Sequence, residues 1–260
     1  MILKQKRILR RIRFLFFHPF LCFEFLKSER KNFSDIGFSE IKQFLKDASI
    51  IVEAGASDGI DTEQLLSNFS HAQIYALEPV PQQAEFLRKK FDISTNSKYS
   101  RVKIFEIALG VINGEVDLLV GNSGNKLDGM GSSSLLKPKN HLHIFPEINF
   151  EKKIIVKSLK LMEFCQQYIP GQVIDFLRLD LQGMEYFIIK DSALFIKNQV
   201  KFLQIEASRI ELFDGSKVFK DLDHILKNLG FKLIYNRVGA ITGNAFYENS
   251  RQNFGNTYRD

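Results

Sequence analysis

Residues 50–83 read IIVEAGASDGIDTEQLLSNFSHAQIYALEPVPQQ, and the order of residue types in this stretch sets the fold class. Ile50, Ile51 and Val52 form a short β-branched run of the kind that fills a central strand covered on both faces. Gly55 and Gly59 bracket Ala56, Ser57 and Asp58, a sharp turn in which the backbone can approach a ligand with no Cβ in the way. A helix is expected to open near Ile60 to Thr62, where unpaired N–H groups and the positive end of the helix dipole favour an anionic group. The next strand, QIYALEP, ends on Glu78, 23 positions after Gly55. A carboxylate there accepts hydrogen bonds from both hydroxyls of a ribose, and Pro79 stops the strand at the mouth of the crevice.

This layout belongs to nucleotide-type cofactor sites, and two cofactor classes share it. Dinucleotide sites use G-x-G-x-x-G, whereas positions 57 and 60 here are Ser57 and Ile60. Glu53, two residues before Gly55, sits badly beside a pyrophosphate but suits a ligand bearing an ammonium and a sulfonium. S-adenosylmethionine carries both. An NAD-dependent oxidoreductase that uses the same Glu78, and an α/β turn that holds no ligand, stay open as alternatives.

Working outward, the alternation of strand and helix persists. Ser34 to Lys46 is expected to form an amphipathic helix with Ile36, Ile41, Phe44 and Leu45 on its apolar face. Helix 60–69, strand 73–77, helix 81–91 and strand 102–107 then follow strand 50–54, which predicts a parallel sheet with crossover helices. Between 108 and 158 the alternation lapses. GEVDLLVGNSG and KKIIVKSL read as short strands around a loop, GMGSSSLLKPKNHLHIFPE, and long loops in α/β enzymes tend to be lids or substrate-binding segments. Helix 160–168, strand 174–180, a short helix near 184–190, strand 200–206 and helix 217–229 resume the pattern. FKLIYNR and NAFYENS, separated by Val238 to Gly243, are expected to close the chain as a hairpin.

Residues 172–192, QVIDFLRLDLQGMEYFIIKDS, and 200–208, VKFLQIEAS, supply a second motif. Together with the first they resemble the FkbM family of S-adenosylmethionine-dependent methyltransferases over roughly residues 35–250. That family has a D-x-G-A-N-x-G turn, an E-P after the second strand, an I-D-x-L-K-x-D-x-E-G-x-E segment and a later strand ending in Glu. This chain matches with Glu53, Gly55, Ala56, Ser57 and Gly59; with Glu78 and Pro79; with Ile174, Asp175, Leu177, Arg178, Asp180, Gly183 and Glu185; and with Glu206. It departs at Glu53 for Asp, Ser57 for Asn, Arg178 for Lys and Gln182 for Glu, all of which keep hydrogen-bonding capacity. Lys160 stands where a T-L-D-like stretch of the family has Asp. The resemblance implies an α/β fold of the class I methyltransferase (Rossmann-like) type, a doubly wound sheet with a terminal antiparallel hairpin. It also implies transfer of a methyl group to a hydroxyl of a glycan, glycolipid or related metabolite.

The candidate cofactor-binding residues are Glu53, Gly55, Ala56, Ser57, Asp58, Gly59, Glu78 and Pro79, with Glu106 and Ala108, at the end of the third strand, placed by analogy to flank the adenine. Asp180, Glu185 and Glu206 are the candidate catalytic residues, because ligands in such folds bind outside the carboxyl ends of the strands. Crowded carboxylates raise one another's pKa, which suits a base, and they could also hold a divalent metal. The competing structural reading pairs Glu185 and Glu206 with Arg178 or Arg209. His141 and His143 could offer a base in the lid, but with no third ligand nearby they suggest no metal site and read first as a solvated loop pair. Ser132 to Ser134 would bind an oxygen-rich substrate or simply keep the loop flexible.

Composition sets the outer limits. The chain has 260 residues, 45% of them hydrophobic, which is enough for one full α/β core. Cys22 and Cys165 offer no C-x-x-C spacing, so neither a zinc site nor a disulfide scaffold is suggested, and a cytoplasmic setting fits. Three regions are expected: a basic, Phe-rich arm over 1–33, a methyltransferase domain over 34–250 and a polar tail over 251–260. Residues 1–31 hold nine Lys and Arg against Glu24 and Glu29, a net +7, while the whole chain carries +6, so the body is near neutral. The arm's apolar run, Phe14 to Leu26, is too short to span a bilayer, and no small-residue cleavage site follows it. A peripheral contact with the inner membrane surface and a helix docked on the domain both fit it. A body without a basic stripe argues against nucleic acid, and a non-catalytic, membrane-associated protein on a methyltransferase fold is a further alternative.

Overall fold

The computed structural model describes residues 36–122 and 130–251; the basic arm, most of the polar tail and residues 123–129 lie outside them. Ten strands and eight short helices are described there. In chain order they are α1 (Phe38–Ile41), β1 (Ile50–Ala54), α2 (Ile60–Asn68), β2 (Gln73–Leu77), α3 (Pro81–Lys90), β3 (Val102–Phe105), β4 (Ala108–Leu109) and β5 (Gly114–Asn122). There follow α4 (His141–Ile144), β6 (Asn149–Leu159), α5 (Leu161–Tyr168), β7 (Ile174–Leu179), α6 (Glu185–Asp191), α7 (Ala193–Gln199), β8 (Val200–Ser208), α8 (Phe219–Asn228), β9 (Phe231–Asn236) and β10 (Thr242–Asn249).

Seven strands form one sheet in the order β3-β2-β1-β7-β8-β10-β9. β3, β2, β1, β7 and β8 run parallel, and β10 pairs antiparallel with both β8 and β9. The chain is thus the expected Rossmann-like doubly wound sheet ending in an antiparallel hairpin. The strand order reverses between β1 and β7, the point at which ligands bind in open α/β sheets. Every residue of β1 and of β7 is buried, as their β-branched and apolar runs require of strands covered on both faces. Much of the Phe content packs one face of the sheet: Phe246 lies 6.0 Å from Phe176 and 5.7 Å from Phe202, ring to ring.

Several elements depart from the expected pattern. The helix expected from 34 to 46 is α-helical only over α1. Phe44 and Leu45 donate to the carbonyls three residues back, so the chain buries Ile36, Phe38, Ile41 and Leu45 through tight turns. The strand expected at 102–107 leaves the main sheet after Phe105, and β4 joins a second, three-stranded sheet of order β4-β6-β5. There β5 and β6 are long antiparallel partners, not short strands around a loop. Helix α7 had no separate signal, because a turn at buried Ser192 and no Gly or Pro divides it from α6.

Asp175, one of the motif residues, works for the fold. Its Oδ2 accepts from the backbone N–H of Ser49 (2.7 Å) and of Ile50 (2.9 Å), and its Oδ1 accepts from Lys201 Nζ at 2.7 Å. One carboxylate therefore ties the start of β1 to β7 and β8. Replacing Asp175 by Ala should cost about 2–3 kcal/mol in denaturant unfolding, because the N–H of Ile50 would be left buried and unpaired. Cofactor affinity, measured calorimetrically, should hardly change, since the residue lies at the opposite end of the strands from the cavity described next.

Candidate active site

A cavity of about 140 Å³ opens at the carboxyl ends of β1, β2 and β7. Ala54, Gly55 and Ser57 line it from β1 and its turn, Leu77, Glu78 and Pro79 from β2, and Asp180, Leu181 and Met184 from the turn after β7. The second sheet supplies Ile107, Ala108, Leu109 and Leu118, and the segment after residue 129 adds Gly131, Ser133 and Leu135 as a roof.

The turn that shapes this cavity follows from local sterics. Gly55 has φ 93°, and a Cβ placed on it would lie 2.0 Å from the carbonyl oxygen of Asp180, so the glycine is required where β1 and β7 meet. Gly59 is used differently from the expectation. A Cβ there would strike Leu87 Cδ2 at 2.6 Å, so its freedom serves packing against α3 and the residue does not reach the cavity. The backbone N–H of Ser57 donates to Glu78 Oε2 at 2.9 Å, the N–H of Val80 donates to Glu78 Oε1 at 2.8 Å, and Gln83 Nε2 donates to Ser57 Oγ at 3.3 Å. Glu78 is thereby fixed at the cavity wall with lone pairs to spare. The N-terminus of α2 is satisfied internally rather than held for an anionic ligand: Asp58 Oδ1 accepts from Ile60 N, and Asp61 and Glu63 sit in the first turn.

Four further candidates are not on the wall. Glu53 is fully buried behind it, where its Oε2 accepts from Thr62 Oγ1 at 2.6 Å and its Oε1 lies 3.8 Å from Arg178 Nη1. Strand alternation turns Glu53 toward α2 and away from the cavity. Ala56 packs in the core, Asp58 is exposed and accepts from the N–H of Ile60, and Glu106 pairs at the surface with Arg88 at 3.1 Å. Ala108 does line the cavity.

The candidate catalytic residues are brought together, in distinct settings. Glu185 accepts from the N–H of Leu181 (2.6 Å) and of Gly183 (3.0 Å), so both of its oxygens brace the turn that carries Asp180. Gln182 Nε2 donates to Asp180 Oδ1 at 2.9 Å and to Glu206 Oε2 at 2.8 Å. Arg178 Nη2 bonds Asp180 at 3.2 Å and also pairs with Asp61. The alternative pairing of Glu185 and Glu206 with Arg178 or Arg209 is not what forms, because Arg209 donates to the carbonyls of Val238 and Gly239. Beyond Gln182 and Glu206 lies a smaller hollow of about 20 Å³, lined also by Ser208, Phe213, Ser216, Lys217 and Thr242. Among the described residues no three His, Cys, Asp or Glu side chains are arranged as a metal site.

One other expectation is corrected, and the departure at Lys160 is located. His141 is buried between Phe145, Phe150 and Phe213, and burial pushes its imidazole down to about 4, so it is a neutral core residue and not half of a solvated pair. Lys160 is the N-cap residue of α5, its side chain paired with Asp191 at 2.9 Å and its N–H bonded to Asn113 Oδ1. The reversed charge there touches no wall of either cavity. The serine run is ordered as well: Ser133 Oγ accepts from Gly121 N, and Ser134 Oγ donates to the carbonyl of Gln182 at 2.8 Å. Sequence reasoning missed this bridge, whose only advance signal was three consecutive hydroxyls, and it treated Gln182 merely as a departure.

A model of the methyltransferase FkbM domain matches residues 53–233, from the end of β1 into β9, a range that includes every residue lining the cavity. The chain belongs to the FkbM methyltransferase family. It is 26% identical over 203 residues to 2-O-methyltransferase NoeI of Sinorhizobium fredii, covering 78% of this chain and 80% of the relative. Among solved structures it is similar to the N-terminal domain of EvdMO1 with SAH bound (TM-score 0.45, 12% identity, 84% of this chain and 82% of that one). A SAM dependent methyltransferase from Aquifex aeolicus matches at TM-score 0.42 and 11% identity, over 83% of this chain and 90% of that one.

As an FkbM methyltransferase the protein uses S-adenosylmethionine, and its charge distribution fits that cofactor. Glu53 and Glu206 lie near the guanidinium of Arg178, and buried Glu78 and Glu185 add two further carboxyl groups, so the site favours a ligand bearing positive charge. Burial pushes Glu53, Glu78 and Glu185 up to about 7 from an ordinary 4.5, backbone N–H bonds to the last two offsetting part of the effect. Each of these groups binds protons more tightly folded than unfolded. Their contribution to stability is full below pH 4.5 and is lost as pH rises through about 7. The free enzyme should therefore melt several degrees lower at pH 8 than at pH 6, and S-adenosylmethionine should raise Tm more at the higher pH. A Tm that rises over that window would refute the assignment.

Proposed function

We propose that this FkbM enzyme is an O-methyltransferase whose acceptor is a hydroxyl of a glycan, glycolipid or related small metabolite. The observation that carries the reading is the position of Asp180, which lines the larger cavity and bonds through Gln182 to Glu206, a residue of the smaller hollow. Cofactor and acceptor would sit on either side of this wall. Glu78 would take the ribose hydroxyls, and the apolar faces of Ile107, Ala108 and Leu109 would take the adenine. Bound S-adenosylmethionine supplies a methyl group on a cationic sulfur.

On the acceptor side, the hydroxyls of Ser216 and Thr242, the Gln182 side chain and the ammonium of Lys217 offer donors and acceptors suited to a polyhydroxylated molecule. Asp180 would orient the reacting hydroxyl and receive its proton as the new carbon–oxygen bond forms, with Glu206 beside it. Burial and the nearby charges of Asp180 and Glu185 push Glu206 well above the usual carboxylate range. Glu185 would act at one remove, through the turn it braces. The name of the relative NoeI, a 2-O-methyltransferase, supports oxygen as the acceptor atom. Positioning and proton removal are what such a site has to offer.

Calorimetry with S-adenosylmethionine, S-adenosylhomocysteine and NAD in parallel tests the cofactor side. Binding of the first two near −8 kcal/mol, roughly micromolar, with none for NAD, is expected, and Glu78→Ala should weaken it about tenfold or more through lost charge-assisted hydrogen bonds. Transfer of labelled methyl to a panel of sugars and glycolipids tests the acceptor. With an active acceptor, Asp180→Asn should lower kcat by about 10²- to 10⁴-fold; full activity in that variant would remove Asp180 from the mechanism.

The arm over residues 1–31 supports a second contact. Its net charge of +7 beside a Phe-rich run suits an anionic membrane surface on the cytoplasmic side. No helix among the described residues is long and apolar enough to cross a membrane. The full chain should sediment with phosphatidylserine vesicles at low salt, and a chain beginning at residue 34 should not; equal binding by both would discard this contact.

A further inference from the structure

Gln182 holds a backbone conformation that few non-glycine residues adopt, with φ 51°. Three groups keep it there. Its carbonyl accepts from Ser134 Oγ at 2.8 Å, and its amide nitrogen donates to Asp180 Oδ1 and to Glu206 Oε2. On either side of it the N–H groups of Leu181 and Gly183 are held by Glu185. Strain of this kind persists only where the surroundings over-determine it, and it gathers at functional sites.

The effect of that conformation is to aim one primary amide between two carboxyl groups from adjacent strands. Two carboxylates this close repel, and the repulsion is relieved by a shared proton or by a cation between them. An amide NH₂ offers two donors and no charge, so it can span the pair while leaving a proton to be shared between Asp180 and Glu206. The other charged groups near the pair are Arg178 from β7, Asp61 from α2, Glu53 from β1, Glu78 after β2, Glu185 from α6 and Lys217 before α8.

We infer that Gln182 is a positioning residue of the transfer centre: its amide fills the place between Asp180 and Glu206 that a bridging divalent cation could take, and it clamps the two carboxyl groups together between the two cavities. The inference rests on reading that wall as the acceptor side, although the clamp itself is measurable without an acceptor. Glutamate at this position would remove both donors and add a third carboxylate, turning a neutral clamp into a hard oxygen site for a cation.

The test is Mn²⁺ titration of the full chain, followed by electron paramagnetic resonance, on the wild type, Gln182→Glu and Gln182→Glu with Asp180→Asn. Carboxyl-labelled Asp and Glu are followed by carbon-13 NMR against pH in the same proteins. Gln182→Glu should bind Mn²⁺ at least about tenfold more tightly than the wild type, lose that gain with Asp180→Asn, and show its most basic carboxyl titrating about one pH unit higher. Gln182→Met removes the donors without adding charge and should also raise that midpoint, which keeps the test available if the glutamate variant does not fold. Unchanged Mn²⁺ affinity and unchanged midpoints would overturn the inference, as would micromolar Mn²⁺ binding by the wild type that Asp180→Asn abolishes. Failure of the acceptor reading appears separately, as full methyl transfer by Asp180→Asn.

Discussion

The structure around the site depends on a buried guanidinium held among carboxylates. Arg178 sits near the carboxyl end of the central strand β7, almost wholly buried, facing Glu53 across to β1, Asp61 from α2 and Asp180 just beyond the end of its own strand. Removing such a charge from water is costly, and the cost is offset only by close, well-aligned partners. The same ion network therefore ties α2 to the sheet and sets the direction in which Asp180 leaves β7. Neighbouring carboxylates keep the guanidinium protonated, while burial pushes the surrounding glutamates up. A buried guanidinium outnumbered by the carboxylates around it leaves the site poised for a cationic ligand.

From this constraint the two sides of the site follow. At the β1 turn, Gly55 must be glycine because the carbonyl of Asp180 occupies the space of a side chain, so the cofactor wall and the β7 turn are built against one another. The second sheet then closes the cavity from above: β5 pairs with Ser134, and Ser134 bonds the carbonyl of Gln182. A chain of direct hydrogen bonds runs from the roof through Gln182 to Asp180 and Glu206. What was expected to be a loose loop is thus mechanically continuous with the carboxylates.

Legibility from sequence tracked the range of the interactions involved. Strands β1, β2 and β7 and helices α2, α3 and α5 were legible to within a residue or two, because β-branched runs, Pro81 at a helix start and apolar periodicity are local signals. Gly55, Ser57, Glu78 and Pro79 were placed by motif spacing, Ala108 by analogy and Asp180 as a catalytic candidate, and all six line one cavity. Glu53 and Gly59 belong to the same motif yet face the packing side, since neighbouring positions on a strand or turn point to opposite faces. The second sheet was underread because β4 and β6 are brought together only by long-range pairing.

By itself the sequence determined the α/β alternation, the glycine turn at the end of β1, the acidic end of β2 and membership of a methyltransferase family. These rest on backbone preferences and on the spacing of a few residue types within one βαβ unit. Only the tertiary structure decided which carboxylates face a ligand, which ones brace the backbone, and that Gln182 spans Asp180 and Glu206. The physical reason is that desolvation and hydrogen-bond partners come from strands and loops distant in the chain, and a carboxylate's role is set by those partners and not by its own identity.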